Sequence, residues 1–92
     1  MQYLKIKVNG RVQGVGFRYF VYNVANRLGL TGFVQNSRTS YDEVLIEVEG
    51  EEETLNEFIK QVKIGPPLSK VTNINIEKLE YKNLYSEFFI KH

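Results

Sequence analysis

The order of hydrophobic periodicities along the chain constrains its fold more than any other feature. Apolar and polar residues alternate over residues 3–8, and apolar residues then recur at three- and four-residue steps over residues 17–28. Alternation is typical of a half-buried strand, whereas the longer steps place apolar side chains on one face of a helix. Two further strands are predicted at Thr31–Asn36 and around residues 44–48, and the short connection between them, residues 37–42, indicates a hairpin.

The second half of the chain continues with another helix and more strands. Three glutamates, residues 51–53, occupy the predicted first turn of that helix, where negative charge favours the helix dipole, and a Gly-Pro-Pro run at residues 65–67 ends it. Its apolar stripe consists of Leu55, Phe58, Ile59 and Val62. Residues 71–76 predict a fourth strand, with a parity change before Leu79 that indicates a bulge or bend. Alternation over residues 84–90 predicts a short last strand.

This order of elements predicts an α+β fold of the ferredoxin-like split βαβ type (βαββαβ). In such a fold an antiparallel sheet carries two helices on one face, and here a short extra C-terminal strand is added. A chain of 92 residues is expected to form one domain, residues 1–92. The same fold hosts enzymes, RNA binders and metal carriers, so the function has to be argued from a site.

Composition excludes several kinds of site. The chain has no cysteine, which removes disulfides, thiolate ligands and thiolate nucleophiles, and its net charge of +1 gives no general attraction to nucleic acid or anionic membranes. No uninterrupted apolar stretch indicates a signal peptide or a membrane span, so a cytoplasmic protein is expected. The single histidine, His92, argues against zinc, and the glutamates at residues 51–53 are explained by the helix dipole. We therefore expect no metal, no cofactor and a monomer.

A glycine-rich loop follows the first predicted strand. Gly10, Gly14 and Gly16 surround the strand end, and Arg18 lies in the first turn of the predicted helix. Glycines allow successive N–H groups to converge on an anion, the helix start adds free donors, and arginine matches phosphate oxygens with a planar fork. The spacing fits neither the P-loop nor the dinucleotide-binding G-x-G-x-x-G motif. The residues alone therefore predict an anion-binding loop, with an ordinary turn beside a solvated arginine as the alternative.

Two motifs resemble the acylphosphatase family. Residues 10–18, GRVQGVGFR, are similar to the signature of that family without a gap, and residues 32–36, GFVQN, match its second element, Gly-x-Val-x-Asn. The likeness covers the whole chain, including the Gly-Pro-Pro-Leu run at residues 65–68. The resemblance implies a small hydrolase of carboxyl–phosphate anhydrides.

The resemblance also implies roles for individual residues. Arg18 would bind the substrate phosphate, and Asn36 would orient the attacking water. The backbone that cradles the phosphate would comprise Gln13, Gly14, Val15, Gly16 and Phe17. One departure is the hairpin, because family members often close it with an Asp-Gly turn, whereas residues 38–41 contain no glycine. The implied catalytic positions are unaffected, but the shape of this loop is left open.

The chemistry of an acyl phosphate agrees with so sparse a set of residues. Its leaving group is a carboxylate with a reference pKa of about 4, so no general acid is needed to expel it. Phosphoryl transfer then requires charge stabilisation and in-line positioning, and the carboxamide of Asn36 can accept from and donate to a water. Taken without the second motif, Asn36 is explained as a turn former. His92 is expected to take no part, because terminal residues are commonly frayed.

Two other functions compete with hydrolysis. An RNA-recognition module shares the fold, and residues 16–22 are similar to its glycine-aromatic consensus, but that consensus belongs on a central strand. Glu47 and Glu49 on the third predicted strand would repel RNA, and a basic footprint is lacking. We therefore expect a small-molecule acyl phosphate as partner, with no nucleic acid and no membrane. A regulatory domain that binds phosphate without hydrolysis uses the same loop and stays open.

Overall fold

The computed structural model describes residues 1–92 and contains five strands and two helices. In chain order these are β1 (Gln2–Arg11), α1 (Phe17–Arg27), β2 (Thr31–Asn36), β3 (Glu43–Gly50), α2 (Glu52–Ile64), β4 (Lys70–Leu79) and β5 (Phe88–Ile90). The predicted order of elements is confirmed, and β2 has the predicted bounds. Neither helix combines the length and the apolar character that crossing a membrane would require.

The five strands form one sheet in the order β4-β1-β3-β2-β5. The first four are antiparallel to their neighbours, as predicted, but β5 pairs with β2 in parallel, with Gly32 opposite Phe88 and Val34 opposite Ile90. The orientation of this extra C-terminal strand was not predicted, and its parallel pairing makes the sheet mixed. Because β4 and β5 lie at opposite edges, the chain between them, residues 80–87, must cross the sheet. We call residues 80–87 the crossing segment.

The main core lies between the two helices and one face of the sheet. The strands contribute the alternating residues Leu4, Ile6, Val8, Val34, Val44, Ile46 and Val48 to it. The helices contribute Phe17, Val21, Val24, Ala25, Leu55, Phe58 and Val62. Because both helices meet the same set of alternating strand residues, they cover one face of the sheet, as predicted. Burial of this apolar surface is the main force that holds both helices in place.

A bulge lies in β4, but not at the predicted position. Asn9 pairs with Asn73 and Gly10 pairs with Val71, so Thr72 is the extra residue of β4. The pairing shows no shift before Leu79, where the sequence predicted one. Leu79 departs from the alternation of Ile74 and Ile76 for another reason. It pairs with Tyr3, which lies on the face of the sheet away from the helices.

The backbone approaches closely at this bulge. Gly10 has a φ of 133°, and a Cβ placed there would lie 2.0 Å from the carbonyl oxygen of Lys70. Only glycine fits such a position. The bulge therefore bends β1 and β4 at the end of the sheet where the glycine-rich loop begins.

The face of the sheet away from the helices is covered at one end by the crossing segment. The hydroxyls of Tyr3 and Tyr85 both donate to Oε1 of Glu47, at 2.5 and 2.6 Å. Glu49, which is 1% exposed, accepts from the backbone N–H of Leu84 at 2.9 and 3.1 Å and from that of Tyr85 at 3.3 Å. Burial, with a contribution from Glu47, raises the pKa of Tyr3 to about 12 and also raises the pKa of Tyr85.

Candidate active site

The glycine-rich loop joins β1 to α1 and is anchored at both ends. Val12 and Phe17 are each 1% exposed and belong to the core, whereas Gly14 and Gly16 are exposed. Gly14 has a φ of 75° and Gly16 one of 76°, and no atom lies within 4 Å of a Cβ built at either position. The left-handed backbone, rather than lack of space, is therefore what favours glycine there.

The backbone N–H groups of this loop have no partners within the protein. None from Gln13 to Tyr19 donates to another protein group, and the first bond of the helix runs from the N–H of Phe20 to the carbonyl of Gly16 at 3.0 Å. Free N–H groups beside left-handed residues form concave sites for anions, and the start of the helix adds its partial positive charge. The loop therefore offers a set of donors to a phosphate-sized anion.

Arg18 lies beside these donors in the first turn of α1. It is half-buried and has no carboxylate within 4.0 Å, since the structure's one ion pair joins the amino group of Met1 to Glu51. The guanidinium charge is therefore available to a bound anion.

A small cleft of about 190 Å³ opens beside the loop. It is lined by Val12, Gly14, Gly16, Phe17, Arg18, Tyr19, Asn36, Ile90 and His92. No Asp or Glu side chain lines the cleft, and no group of three or more His, Asp, Glu or Cys side chains is arranged to hold a metal ion. Pockets for drug-sized ligands usually measure about 300–1,000 Å³, so this cleft suits an ion the size of phosphate.

Asn36 enters the same cleft from the last position of β2. Its Oδ1 atom is the one buried side-chain polar atom of the structure without a hydrogen-bond partner. Such an orphaned acceptor costs about 1–3 kcal/mol, and so it calls for a functional explanation. The structure thus brings Arg18 and Asn36 together, although 18 positions separate them in the sequence.

The turn that follows Asn36 is built by its neighbour. Ser37 Oγ accepts from the N–H groups of Thr39 and Ser40 at 3.3 and 3.2 Å, and the N–H of Ser37 donates to the carbonyl of Glu43 at 3.0 Å. The side chain of Asn36 makes none of these bonds. The turn-forming role that the sequence offered as an alternative for Asn36 is therefore filled by Ser37, which also closes this hairpin without a glycine.

The end of β5 supplies residues that sequence reasoning did not place in the site. Ile90 and His92 line the cleft, and Arg38 of the hairpin donates to the backbone carbonyl of His92 at 3.3 Å. No local pattern marks these residues, because only the parallel pairing of β5 brings them beside Asn36. That His92 takes no part in catalysis stays a prediction.

A family model, full-length relatives and a solved structure indicate one family. A family model described as Acylphosphatase matches residues 4–90. An acylphosphatase of Pseudothermotoga lettingae is 45% identical over 86 residues, covering 94% of each chain, and one of Thermotoga maritima is 45% identical over 92 residues, covering 100% of this chain and 99% of that one. The crystal structure of acylphosphatase from Bacillus subtilis superimposes with a TM-score of 0.94 at 41% identity, with complete coverage of both chains.

Proposed function

Because the chain belongs to the acylphosphatase family, it hydrolyses acyl phosphates to a carboxylate and inorganic phosphate, and we propose how its residues do so. The glycine-rich loop and Arg18 bind the phosphate, and Asn36 orients the attacking water. The observation that carries this proposal is a pairing of unsatisfied groups. Free N–H donors and the orphaned Oδ1 of Asn36 meet in one cleft, which is lined by Gly14, Gly16, Phe17, Arg18 and Tyr19 but not by Gln13 or Val15.

The first step is binding of the phosphate. The N–H groups of residues 13–17 donate hydrogen bonds to the phosphate oxygens. The planar guanidinium of Arg18 supplies a permanent positive charge and can donate to two of these oxygens at once. These groups are held in place before the substrate arrives, so they stabilise the charge of the transferring phosphoryl group without reorganising. A cleft of about 190 Å³ holds the phosphate and leaves the acyl part outside, which favours broad tolerance of acyl groups.

The second step is attack by water. A water that donates to Oδ1 of Asn36 has its lone pairs free for the phosphorus, in line with the acyl oxygen. The new bond joins the water oxygen to phosphorus, and the old phosphorus–oxygen bond breaks with its electron pair going to the carboxylate. No Asp or Glu side chain lines the cleft, and in this proposal the water proton passes to an oxygen of the phosphate being released. The proposal requires no metal ion and no cofactor, and a monomer carries all of its residues.

A non-catalytic phosphate-binding domain is the second candidate. It would use the same loop and Arg18, but it gives no reason for an orphaned acceptor at Asn36. The full-length similarity to acylphosphatases does not favour it.

Hydrolysis of benzoyl phosphate, with and without a chelator, tests the proposal. We expect turnover that the chelator leaves unchanged. Arg18→Gln should raise the inhibition constant of inorganic phosphate and lower kcat. Asn36→Ala should lower kcat by about 10²–10³ while the inhibition constant changes less than about threefold, since only a transition-state contact is lost.

A matched asparagine on the surface provides the control. Asn26 is exposed on α1 and donates to the carbonyl of Tyr22, so Asn26→Ala should leave turnover near the parent value. Loss of activity on chelation would contradict the metal-free mechanism. Near-normal turnover of Asn36→Ala would show that this residue does not orient the water.

A further inference from the structure

The side chain of Gln13 connects two parts of the site that are distant in sequence. Gln13 lies in the glycine-rich loop, and its Nε2 donates to the carbonyl of Ser40 at 3.0 Å and to that of Glu43 at 2.8 Å, across the hairpin. The carbonyl of Glu43 also accepts from the N–H of Ser37 at 3.0 Å. One oxygen therefore receives a donor from the phosphate-binding loop and a donor from the residue next to Asn36.

We infer that Gln13 is a positioning residue that sets the placement of Asn36 relative to the bound phosphate. This inference rests on the proposed role of Asn36 in orienting water. It gives Gln13 a function through its side chain, distinct from the N–H that Gln13 contributes to the cradle.

Both parts need such a connection. Asn36 is the last residue of β2, so the direction of its side chain depends on how the hairpin closes immediately after it. The glycine-rich loop has two left-handed glycines, and its N–H groups bind nothing else in the protein. Gln13 provides the one side-chain hydrogen-bond link from this loop to the hairpin.

A backbone bond adds to the same junction without replacing it. The N–H of Gly10 donates to the carbonyl of Asp42 at 2.9 Å, which holds the base of the hairpin against the bulged part of β1. That bond lies before Gln13, and Phe17 is held by the core, so the residues between them depend on the side chain of Gln13 for a hydrogen bond to the hairpin. The link from Gln13 acts directly between the two parts of the site.

A purely structural role for Gln13 makes a different prediction from a positioning role. If Gln13 only stabilised the fold, its loss would lower activity by the same factor whether or not Asn36 is present. If it positions Asn36, its loss should lower kcat only while Asn36 is there to be misplaced. Displacement of a reacting group by about 1 Å can cost up to roughly 10²-fold in rate.

The test is a double-mutant cycle with Gln13→Met and Asn36→Ala, measured on benzoyl phosphate. Methionine keeps the length and flexibility of the side chain and removes both donors. We expect Gln13→Met to lower kcat about tenfold in the parent and less than about twofold in the Asn36→Ala background. The inhibition constant of inorganic phosphate should change less than about threefold, because the N–H groups and Arg18 remain.

Gln61→Met is the matched control. Gln61 lies on α2, where its amide donates to Glu57 and accepts from Arg27, both at 2.7 Å, far along the chain from either motif. It should change kcat by the same small factor in both backgrounds. Equal losses for Gln13→Met in both backgrounds would overturn the inference, as would a weakening of phosphate binding as large as the loss in kcat.

Gln13→Lys keeps the inference testable if the methionine variant does not fold. The ammonium retains donors for both carbonyls, so kcat within about threefold of the parent is expected, and a loss of tenfold or more would overturn the inference. The cycle also separates this inference from the proposed function. If Asn36→Ala alone loses less than tenfold, the role of Asn36 is wrong; if it loses 10²–10³ but the two effects multiply, only the role of Gln13 is wrong.

Discussion

Polar groups lack hydrogen-bond partners at one end of the sheet and have them at the other. At the end where β2 stops, Asn36 keeps an unpartnered oxygen, Arg18 has no carboxylate beside it, and the loop N–H groups have no acceptors. At the other end, Glu49 is fully buried yet accepts from two backbone N–H groups, and Glu47 accepts from two tyrosine hydroxyls. Both ends contain polar groups on β-strands, but only one end leaves them unsatisfied.

This difference separates a binding site from a scaffold. A buried network in which every polar group has a hydrogen-bond partner stabilises the fold, and breaking it lowers the free energy of unfolding substantially. Unsatisfied groups lower the stability of the fold and become useful only when a ligand supplies the missing partners. We call the end of the sheet with Arg18 and Asn36 the open end and the end with Glu47 and Glu49 the closed end. Substitutions at the open end should therefore change activity much more than stability, and substitutions at the closed end should change stability much more than activity.

Arg18→Lys is expected to have the largest effect, and it acts on activity. Lysine keeps the charge but loses the planar fork that binds two phosphate oxygens, so kcat/KM should fall by about 10²–10³. The free energy of unfolding should stay within about 0.5 kcal/mol, because Arg18 has no carboxylate partner to lose. Steady-state kinetics and urea unfolding measure the two quantities. Arg27→Lys, at the far end of α1, is the control. A fall in kcat/KM of less than tenfold for Arg18→Lys would show that the planar guanidinium is not needed to bind two phosphate oxygens.

Glu49→Ala should show the opposite pattern. Its removal leaves the N–H groups of Leu84 and Tyr85 without their acceptor, so the free energy of unfolding should fall by about 2–3 kcal/mol. The folded fraction should keep kcat/KM within about threefold. Glu53→Ala, on the exposed start of α2, should stay within about 0.5 kcal/mol. If Glu49→Ala lowered activity far more than stability, the two ends of the sheet would not be separable.

The sequence predicted much of the fold because local patterns specify local structure. The bounds of β2, the helix stop before residues 65–67 and the apolar stripes follow from periodicity and turn residues. The parallel pairing of β5 could not be predicted, since alternation is the same in parallel and antiparallel strands. Burial of Tyr3 and Glu49 was missed for a related reason, because it depends on where the crossing segment lies.

The site was predicted only where a local motif marks its residues. Arg18 and Asn36 were identified through motifs, and the structure brings both into one cleft. The side-chain contacts of Gln13 involve carbonyls 27 and 30 positions away, and carbonyls carry no sequence signal. Ile90 and His92 reach the cleft only because of how β5 adds to the sheet, so no pattern at the C-terminus could have indicated them.

Inorganic phosphate should stabilise the fold through the open end alone. At ten times its dissociation constant, the expected increase in the free energy of unfolding is about 1.4 kcal/mol by mass action. Arg18→Gln should abolish most of this increase, whereas Glu49→Ala should keep it in full, because the two sites share no partners. Urea unfolding at several phosphate concentrations measures it. An increase that Glu49→Ala reduces by half or more would show that the two ends are coupled.

The closed end should also make the free energy of unfolding depend on high pH. Burial, reinforced by Glu47, raises the pKa of Tyr3 from 10.0 to about 12 in the folded state. The folded protein therefore holds this proton more tightly than the unfolded chain, so the contribution to stability is complete below pH 10 and is lost as the pH rises through 12. The pKa of Tyr85 is raised for the same reasons, and its contribution has the same sign.

Tyr3→Phe tests this dependence directly. The variant should be less stable at neutral pH by about 1 kcal/mol, the usual value of a lost hydrogen bond, and its stability should fall less than that of the parent between pH 10 and 12. Subtracting the free energies of unfolding of the two proteins at each pH removes the contributions of all other titrating groups, which the two proteins share. Tyr41→Phe, at a position 88% exposed, should follow the parent throughout. Parallel curves for Tyr3→Phe and the parent would show that the pKa of the Tyr3 hydroxyl is not raised in the folded protein, and would contradict the effect of burial and Glu47 on this group.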